Sequence, residues 1–224
     1  MSVIAQNLEQ IQGRLAAAAQ RVGRDPADIT LIAVSKTVAP DQVAEALAAG
    51  IHIFGESKVQ EARAKIPLVS GRARWQMIGH LQSNKAREAV ELFELIHSVD
   101  SVKLAGALDR CAAEAGKTQP VLLEVNVSGE GSKYGIAPPA LPAVLAEIQQ
   151  LARVEVRGLM TIPPAGKEAR PFFRQLRELR DAAGLRELSM GMSHDFEIAI
   201  EEGATMVRVG TALFGERQRH EPTE

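Results

Sequence analysis

One lysine stands where covalent chemistry could begin. Lys36 ends an apolar run that starts at Leu31, so a short strand stops abruptly at an amine. Partial desolvation at the end of a buried strand lowers the pKa of a lysine from about 10.4 toward neutrality, which frees the lone pair to attack a carbonyl carbon. Lys36 is therefore a candidate for a Schiff base with an aldehyde or ketone. The alternative is that it only marks where the strand reaches water.

Two later loops carry residue types that suit a phosphate site. In segment 189–195 Gly191 precedes Ser193, and in segment 207–212 Gly210 precedes Thr211. Glycines let the backbone approach an anion, hydroxyls donate hydrogen bonds, and each segment leads into a possible helix start that favours negative charge. The alternative is ordinary helix capping. Combined with a Schiff-base lysine, a phosphate clamp suggests pyridoxal 5′-phosphate (PLP) or a phosphorylated sugar aldehyde.

Composition and charge argue against a nucleic-acid partner. The chain has 224 residues, of which 46% are hydrophobic and 24% charged, an ordinary globular composition with enough apolar residues for a sizeable core. A formal net charge of −2 and a pI near 6.2 provide no basic surface for a nucleic-acid backbone. Nucleic acid is therefore not an expected partner.

The sequence predicts a cytoplasmic protein. No apolar stretch approaches the roughly 18–20 residues of a membrane span, and residues 1–7 are polar rather than a basic segment leading into an apolar one. No membrane partner is expected. The single cysteine, Cys111, cannot form an internal disulfide and lies in a helical pattern, so we interpret it as a packing residue.

These candidate residues must be positioned by alternating strands and helices. An amphipathic helix over 3–22 comes first, and a short apolar strand followed by an Ala/Leu/Glu-rich helix then repeats along the chain. The predicted strands are 30–35, 51–54, 74–78, 94–98, 120–126, 154–159, 187–190 and 205–209. The predicted helices that follow are 40–49, 57–66, 84–91, 101–115, 138–150, 167–182 and 194–202.

Eight strands alternating with helices indicate an α/β fold, a single (β/α)8 TIM barrel with an extra N-terminal helix. We expect one domain over 1–224 with a frayed polar tail from about residue 217. Active sites of such barrels lie at the carboxyl ends of the strands. One mouth would then collect the strand-end candidates Lys36, His80, His97, Asn126, Met160 and Arg208.

In several segments the sequence resembles the YggS/PROSC-type pyridoxal phosphate homeostasis proteins, whose barrel is shared with the N-terminal domain of bacterial alanine racemase. The resemblance runs nearly end to end and depends on ordered, correctly spaced motifs. These are AVSK at 33–36, FGESKVQE at 54–61, IGHLQSNK at 78–85, IHSVD at 96–100, GLM at 158–160, SMGMS at 189–193 and VRVGT at 207–211.

The resemblance implies PLP as the cofactor, bound as an aldimine on Lys36. It also implies that Ser193, Gly210 and Thr211 hold the phosphate and that Arg208 faces the pyridine nitrogen. The other cofactor-site candidates are Met160, His80, Asn126 and Ser57; members of the family often carry Asn where this chain has Ser57.

Arg208 would restrain the chemistry of the cofactor. Arginine is always protonated and can only donate, so it favours an unprotonated pyridine nitrogen and makes the ring a poor electron sink. Transaminase-like chemistry is then disfavoured. The alternative for Arg208 is an ion pair with Glu56 or Asp195. We interpret Glu56 itself, with Gln60, as a capping and pocket-wall residue.

A racemase needs a second base opposite the lysine. In the racemases that the barrel resembles, that base is a tyrosine from a partner's second domain, and we expect this protein to have no such domain. The remaining candidates are Tyr134, interpreted as a mobile rim residue, and His80 and His97, interpreted as lining the pocket. Lys133, in the same loop as Tyr134, has no assigned role.

The resemblance therefore favours a non-enzymatic role. A monomer would buffer PLP or deliver it to PLP-dependent apoenzymes, with indirect effects on the balance of amino acids and keto acids. Two alternatives stay open at this point: a PLP-dependent amino-acid racemase, and a cofactor-free Schiff-base aldolase acting on a sugar phosphate.

Overall fold

In a computed structural model, which describes residues 2–131 and 134–215, eight parallel strands close into a barrel in chain order, with β8 pairing β1. The (β/α)8 prediction is confirmed. The strands are β1 (Thr30–Val34), β2 (Ile53–Glu56), β3 (Arg74–Met77), β4 (Leu95–Val99), β5 (Gln119–Glu124), β6 (Val154–Met160), β7 (Glu187–Ser189) and β8 (Met206–Val209). The helices are α1 (Val3–Arg21), α2 (Pro40–Ala48), α3 (Val59–Lys65), α4 (Ala86–Leu92), α5 (Val102–Glu114), α6 (Leu141–Ile148), α7 (Arg170–Ala182), α8 (Phe196–Glu201) and α9 (Thr211–Phe214).

The extra N-terminal helix packs against the last part of the barrel. The Ser2 hydroxyl caps α1 by accepting from the Ala5 N–H at 3.2 Å. The helix buries one stripe against α8 and α9 because apolar residues recur every three or four positions. That stripe comprises Ile4, Leu8, Ile11 and Leu15. Helix α1 thus supports the side of the barrel that carries the β7 and β8 loops.

The inside of the barrel is filled with side chains. Five buried residues from β1, β4, β5, β6 and β8 pack together there, as side chains fill the interior of other barrels of this class. They are Ile32, Leu95, Leu122, Met160 and Met206. A larger apolar core lies between the strands and the helices. A ligand site therefore has to lie above this packed interior, at one end of the strands.

Element boundaries differ from the predictions by a few residues, and turn chemistry explains the largest differences. Strand β2 begins at Ile53 rather than 51, because Gly50 adopts φ +104° and the Ile51 N–H bonds back to the Ala46 carbonyl, closing helix α2. Helix α6 is shorter than predicted, since Pro138–Ala140 forms a separate 3₁₀ turn. The polar tail predicted from about residue 217 and Lys133 lie outside the described residues.

No helix within the described ranges is long and apolar enough to cross a membrane. The same residues contain no group of three or more His, Cys, Asp or Glu side chains arranged to hold a metal ion.

Candidate functional site

A cavity of about 340 Å³ opens at the carboxyl ends of the strands. Its walls come from the loops after β1, β2, β3, β6, β7 and β8, so that distant parts of the sequence meet there. The lining residues are Val34, Lys36, Ser57, Ile78, Gly79, Ile162, Met192, Ser193, His194, Arg208, Gly210 and Thr211. Six of the nine predicted cofactor-site residues are among them.

Lys36 lies two residues beyond the end of β1 and is half-buried. The preceding residue, Ser35, is fully buried, and its N–H continues the sheet by bonding to the Gly55 carbonyl at 3.0 Å. The following residue, Thr37, has φ +61°, a left-handed conformation that β-branched residues rarely adopt. The backbone around Lys36 is therefore unusually constrained.

A buried ionic cluster lies beside this segment. Glu56, the last residue of β2, is fully buried and accepts the Ser35 hydroxyl at 2.7 Å and the Lys65 ammonium at 2.9 Å. Burial raises the pKa of Glu56, while the hydrogen bonds from Lys65 and Ser35 act in the opposite direction. Glu56 thus lies before helix α3 and pairs with a buried lysine, so our interpretation of it as a capping residue is wrong.

The loops after β7 and β8, where the sequence predicts a phosphate site, bring hydroxyl and amide groups together. Ser193 Oγ accepts the backbone N–H groups of Gly210 at 3.2 Å and Ala212 at 3.3 Å. These amides lie at the start of α9, beside Thr211. Gly191 has φ +90°, and a Cβ there would lie 2.5 Å from the Ala199 Cβ, so glycine is required at this turn. The loops after β7 and β8 therefore form a compact set of hydroxyl and amide groups on one wall.

Arg208 lies across the floor of the cavity on β8 and is 3% exposed. Its Nη1 donates to Ser189 Oγ at 2.6 Å and its Nη2 donates to the Thr161 carbonyl at 2.9 Å. Burial lowers the pKa of Arg208 to about 10, so the guanidinium stays protonated at neutral pH. Its hydrogen bonds go to Ser189 and Thr161 rather than to the carboxylate of Glu56, which pairs with Lys65.

The hydrogen-bond chain continues beneath Arg208. His97 is fully buried, with Nε2 2.8 Å from Gln76 Oε1 and Nδ1 2.9 Å from Ser189 Oγ. Since Gln76 Oε1 can only accept, Nε2 carries the hydrogen, and Nδ1 accepts from the Ser189 hydroxyl. Burial, with the nearby Arg208 charge, lowers the pKa of His97 well below 6.5, so the ring is neutral. His97 is thus an interior residue that supports Arg208.

Three predicted site residues lie apart from the cavity lining. Met160 ends β6 with its side chain in the barrel interior. His80 stacks on Tyr134 with ring centroids 3.6 Å apart, and its Nδ1 lies 3.5 Å from Asp100 Oδ2. Asn126 donates to the Glu130 carbonyl at 2.9 Å and so braces the loop after β5. Their contact with a cofactor stays a prediction.

One buried carboxyl group near this rim has an altered acidity. Glu124 ends β5 and is 9% exposed. Burial raises its pKa to about 7, helped by the negative charge of Asp100 and opposed by Arg208. Glu124 therefore changes its charge close to neutral pH.

Sequence reasoning missed three contributors to this region. Ile162 and Met192 line the cavity although both are apolar and partly exposed. Met192 lies in the segment 189–195 that the sequence indicated, whereas nothing around Ile162 indicated a site. Lys65 lies on the barrel-facing side of α3 and carries no strand-end signal. Its position four residues after Glu61 was the one sequence feature that could have indicated an ion pair.

The class of protein is thus a (β/α)8 barrel whose mouth combines a strand-end lysine, a cluster of hydroxyl and amide groups and a buried arginine. Comparison with known proteins narrows this class. The family described as alanine racemase, N-terminal domain, matches residues 6–218. A pyridoxal phosphate homeostasis protein of Pseudomonas aeruginosa is 47% identical over 99% of both chains. One of Aquifex aeolicus is 43% identical over 95% of this chain and 98% of the relative. The chain therefore belongs to the family of pyridoxal phosphate homeostasis proteins.

Solved structures agree with this assignment. PipY of Synechococcus elongatus PCC7942, solved with PLP bound, superposes with a TM-score of 0.84 at 42% identity, covering 95% of this chain and all (100%) of that chain. The same protein without PLP has a TM-score of 0.81 at 45% identity and covers 92% and 100% of the two chains. Alanine racemase of Clostridium difficile 630, at 16% identity and a TM-score of 0.70, matches 98% of this chain but 58% of its own. That similarity shows the shared barrel fold alone.

Proposed function

We propose that this protein binds PLP at the mouth of its barrel, with Lys36 forming the Schiff base, and that it buffers the cofactor or delivers it to PLP-dependent enzymes. One observation carries the proposal: Lys36 and the donor groups around Ser193 open on the same cavity of about 340 Å³. The names of the curated relatives and the PLP-bound PipY structure support it.

The lining residues fit the chemistry of PLP. Bound PLP supplies an aldehyde carbon for an amine and a phosphate that anchors the ring. Lys36 is the amine on this wall, and the hydroxyls of Ser193 and Thr211 are the phosphate donors, beside the Gly210 amide that bonds to Ser193 Oγ. Arg208 is still a cation at neutral pH although it is buried, and its guanidinium, bonded to Ser189 and Thr161, provides only donors toward a pyridine nitrogen.

We further propose that the protein does not turn over substrates, acts as a monomer and works in the cytoplasm. Donation from Arg208 disfavours a protonated pyridine, and so weakens the ring as an electron sink. The ring of His97 is buried in hydrogen bonds beneath Arg208, which leaves it unsuited to act as a base above the cavity. Incubation with amino acids in deuterated solvent tests this part, since exchange of the α-proton would support a racemase instead.

The primary experiment locates the covalent bond directly. Purified protein is incubated with PLP, reduced with borohydride and digested, and the peptides are examined by mass spectrometry. We expect a pyridoxyl group on the peptide that contains Lys36, together with a visible absorption band before reduction that Lys36→Ala weakens or removes. No band and no adduct in the parent protein would overturn the proposal.

Two further measurements separate the remaining alternatives. A colourless protein that borohydride traps only in the presence of a sugar phosphate would favour an aldolase. Delivery is tested by mixing PLP-loaded protein with a PLP-dependent apoenzyme and following recovery of its activity against free PLP at the same concentration. A third measurement, the molar mass from size-exclusion chromatography with light scattering, tests the proposal of a monomer.

A further inference from the structure

We propose that Lys65 and Glu61 are positioning residues for Lys36: together they clamp the backbone on both sides of it so that its amine meets a bound aldehyde. The inference rests on the proposed function. Neither residue lines the cavity, and both lie on helix α3, away from the loops that hold the phosphate.

The ammonium of Lys65 clamps the segment before Lys36. Lys65 is 6% exposed and its Nζ makes three hydrogen bonds, which use all three of its donors. They go to the Ser35 carbonyl at 2.6 Å, to Glu56 Oε1 at 2.9 Å and to Glu61 Oε1 at 2.9 Å. Ser35 is therefore held at both its carbonyl and its hydroxyl, since the hydroxyl donates to the same oxygen of Glu56.

Glu61 clamps the segment after Lys36. Its Oε1 accepts the Thr37 N–H at 2.5 Å, and this residue has the left-handed φ of +61°. Such a conformation at a β-branched residue persists only where the surroundings impose it. Glu61 shares the same carboxylate oxygen with Lys65, so one continuous network holds the residues on either side of Lys36.

Stabilisation of the fold does not account for this buried ionic cluster. Buried ion pairs are often replaceable by apolar packing with little loss, because desolvation offsets their attraction. This cluster also leaves Glu56 Oε2 without a hydrogen-bond partner in the part of the chain that the structure describes. Its contacts instead converge on the main chain beside Lys36, which lines the cavity. These contacts therefore have one effect in common: they restrict the backbone on both sides of Lys36.

The orientation of the Lys36 amine should matter for ligands that carry an aldehyde and not for ligands that lack one. To form a Schiff base, the lysine nitrogen attacks the aldehyde carbon, a C=N bond forms and the carbonyl oxygen leaves as water, which requires the amine at bonding distance. Pyridoxine 5′-phosphate has the same ring and phosphate but an alcohol in place of the aldehyde. A loosened Lys36 backbone should therefore weaken binding of PLP and leave binding of the alcohol unchanged.

The test compares Glu61→Ala with Glu61→Gln in the full chain. Alanine removes the acceptor for Thr37, whereas glutamine keeps a carbonyl oxygen at the same place. Glu61 is 26% exposed in its side chain, so neither change empties the core. Equilibrium dissociation constants are measured for PLP and for pyridoxine 5′-phosphate. The control is Glu45→Ala, at an exposed glutamate on the neighbouring helix α2.

For Glu61→Ala we expect PLP to bind at least about tenfold more weakly, the equivalent of about 1.4 kcal/mol, with binding of pyridoxine 5′-phosphate unchanged. Glu61→Gln should recover most of the PLP affinity, and Glu45→Ala should match the parent. Lys65→Met should show the same selective loss in a sample that circular dichroism shows to be folded.

Equal weakening of both ligands in Glu61→Ala would mean a general structural role and would overturn the proposal, as would unchanged binding of both. Failure of glutamine to restore PLP affinity would also overturn it, because charge rather than clamping would then be responsible. Failure of the proposed function is distinguishable, since the parent protein itself would then bind no PLP.

Discussion

The guanidinium of Arg208 donates to the hydroxyl of Ser189 at 2.6 Å inside the barrel, where both side chains are buried. Ser189 has one hydrogen to give, and it points to Nδ1 of His97 because Arg208 can only donate. One hydroxyl thus fixes both the orientation of a cation and the tautomer of a neutral histidine.

Ser189→Ala should destabilise the protein. The change leaves a buried Arg208 donor and a buried His97 acceptor without partners, and each such loss costs about 1–3 kcal/mol. We expect the free energy of unfolding in urea to fall by about 2–4 kcal/mol. The control, Ser70→Ala at an exposed loop serine, should change it by less than about 0.5 kcal/mol. Equal effects of the two substitutions would contradict the hydrogen-bond chain described here.

Glu124→Gln should alter the pH dependence of stability. The pKa of Glu124 is about 7 in the folded protein, because burial and Asp100 raise it, against about 4.3 for an unfolded chain. The folded state binds the proton more tightly, so this contribution to stability is fully present below about pH 4 and is lost as pH rises through 7. Each pKa unit corresponds to about 1.4 kcal/mol, so the difference between the folded and unfolded values gives about 4 kcal/mol in total.

Glutamine cannot titrate, so the stability of the variant relative to the parent should rise between about pH 4.5 and pH 8. Urea unfolding at several pH values measures this difference. Glu45→Gln, at an exposed glutamate, provides the control and should follow the parent curve. A Glu124→Gln curve parallel to that of the parent would show that Glu124 has an ordinary acidity.

Gly79→Ala should damage the cavity wall. A Cβ at this position would lie 2.3 Å from the Ser57 carbonyl oxygen and 2.7 Å from its Cα, so the loop after β2 must move. We expect a loss of about 1–3 kcal/mol in stability, typical of overpacking, together with weaker PLP binding. Gly13→Ala is the matched control, since nothing lies within 4 Å of its added Cβ, and it should stabilise α1 by roughly 0.5–1 kcal/mol. If PLP affinity is unchanged in Gly79→Ala, the loop does not form part of the binding site.

Ser193→Ala should weaken recognition of the phosphate. The hydroxyl lies between the Gly210 and Ala212 amides, and a hydrogen bond to a charged oxygen contributes about 1.5–3 kcal/mol. We expect PLP to bind about tenfold or more weakly, measured by titration of the visible absorption band. Pyridoxal, which lacks the phosphate, serves as the control and should be bound equally by the parent and the variant. An equal loss for both ligands would place Ser193 away from the phosphate.

Much of the fold could be predicted from the sequence because each strand is a short apolar run followed by an amphipathic helix. The β2 boundary was misplaced because the Gly50 turn returns the Ile51 N–H to helix α2, a backbone hydrogen bond that hydrophobic pattern does not reveal. The short 3₁₀ turn before α6 escaped prediction for a similar reason: the proline there suits either kind of helix.

The sequence placed residues at the cavity where glycine and hydroxyl residues cluster in loops, but it could not place those whose side-chain direction matters. The sequence indicates that Met160 ends a strand, but the side chain enters the barrel and Ile162, two residues later, faces the cavity. Lys65 could not be assigned because its contacts depend on how helix α3 packs against the end of β1. Three-dimensional packing rather than local pattern determines such contacts.

The filled interior of the barrel determines how a ligand can enter and leave the cavity. Within the described residues, the barrel below the cavity is filled by Ile32, Leu95, Leu122, Met160 and Met206, so a ligand beside Lys36 would arrive and depart through the same opening. A macromolecule seated over that opening would trap the ligand inside or receive it, and no second molecule could load from behind at the same time. Filling and emptying of this site therefore have to alternate in time.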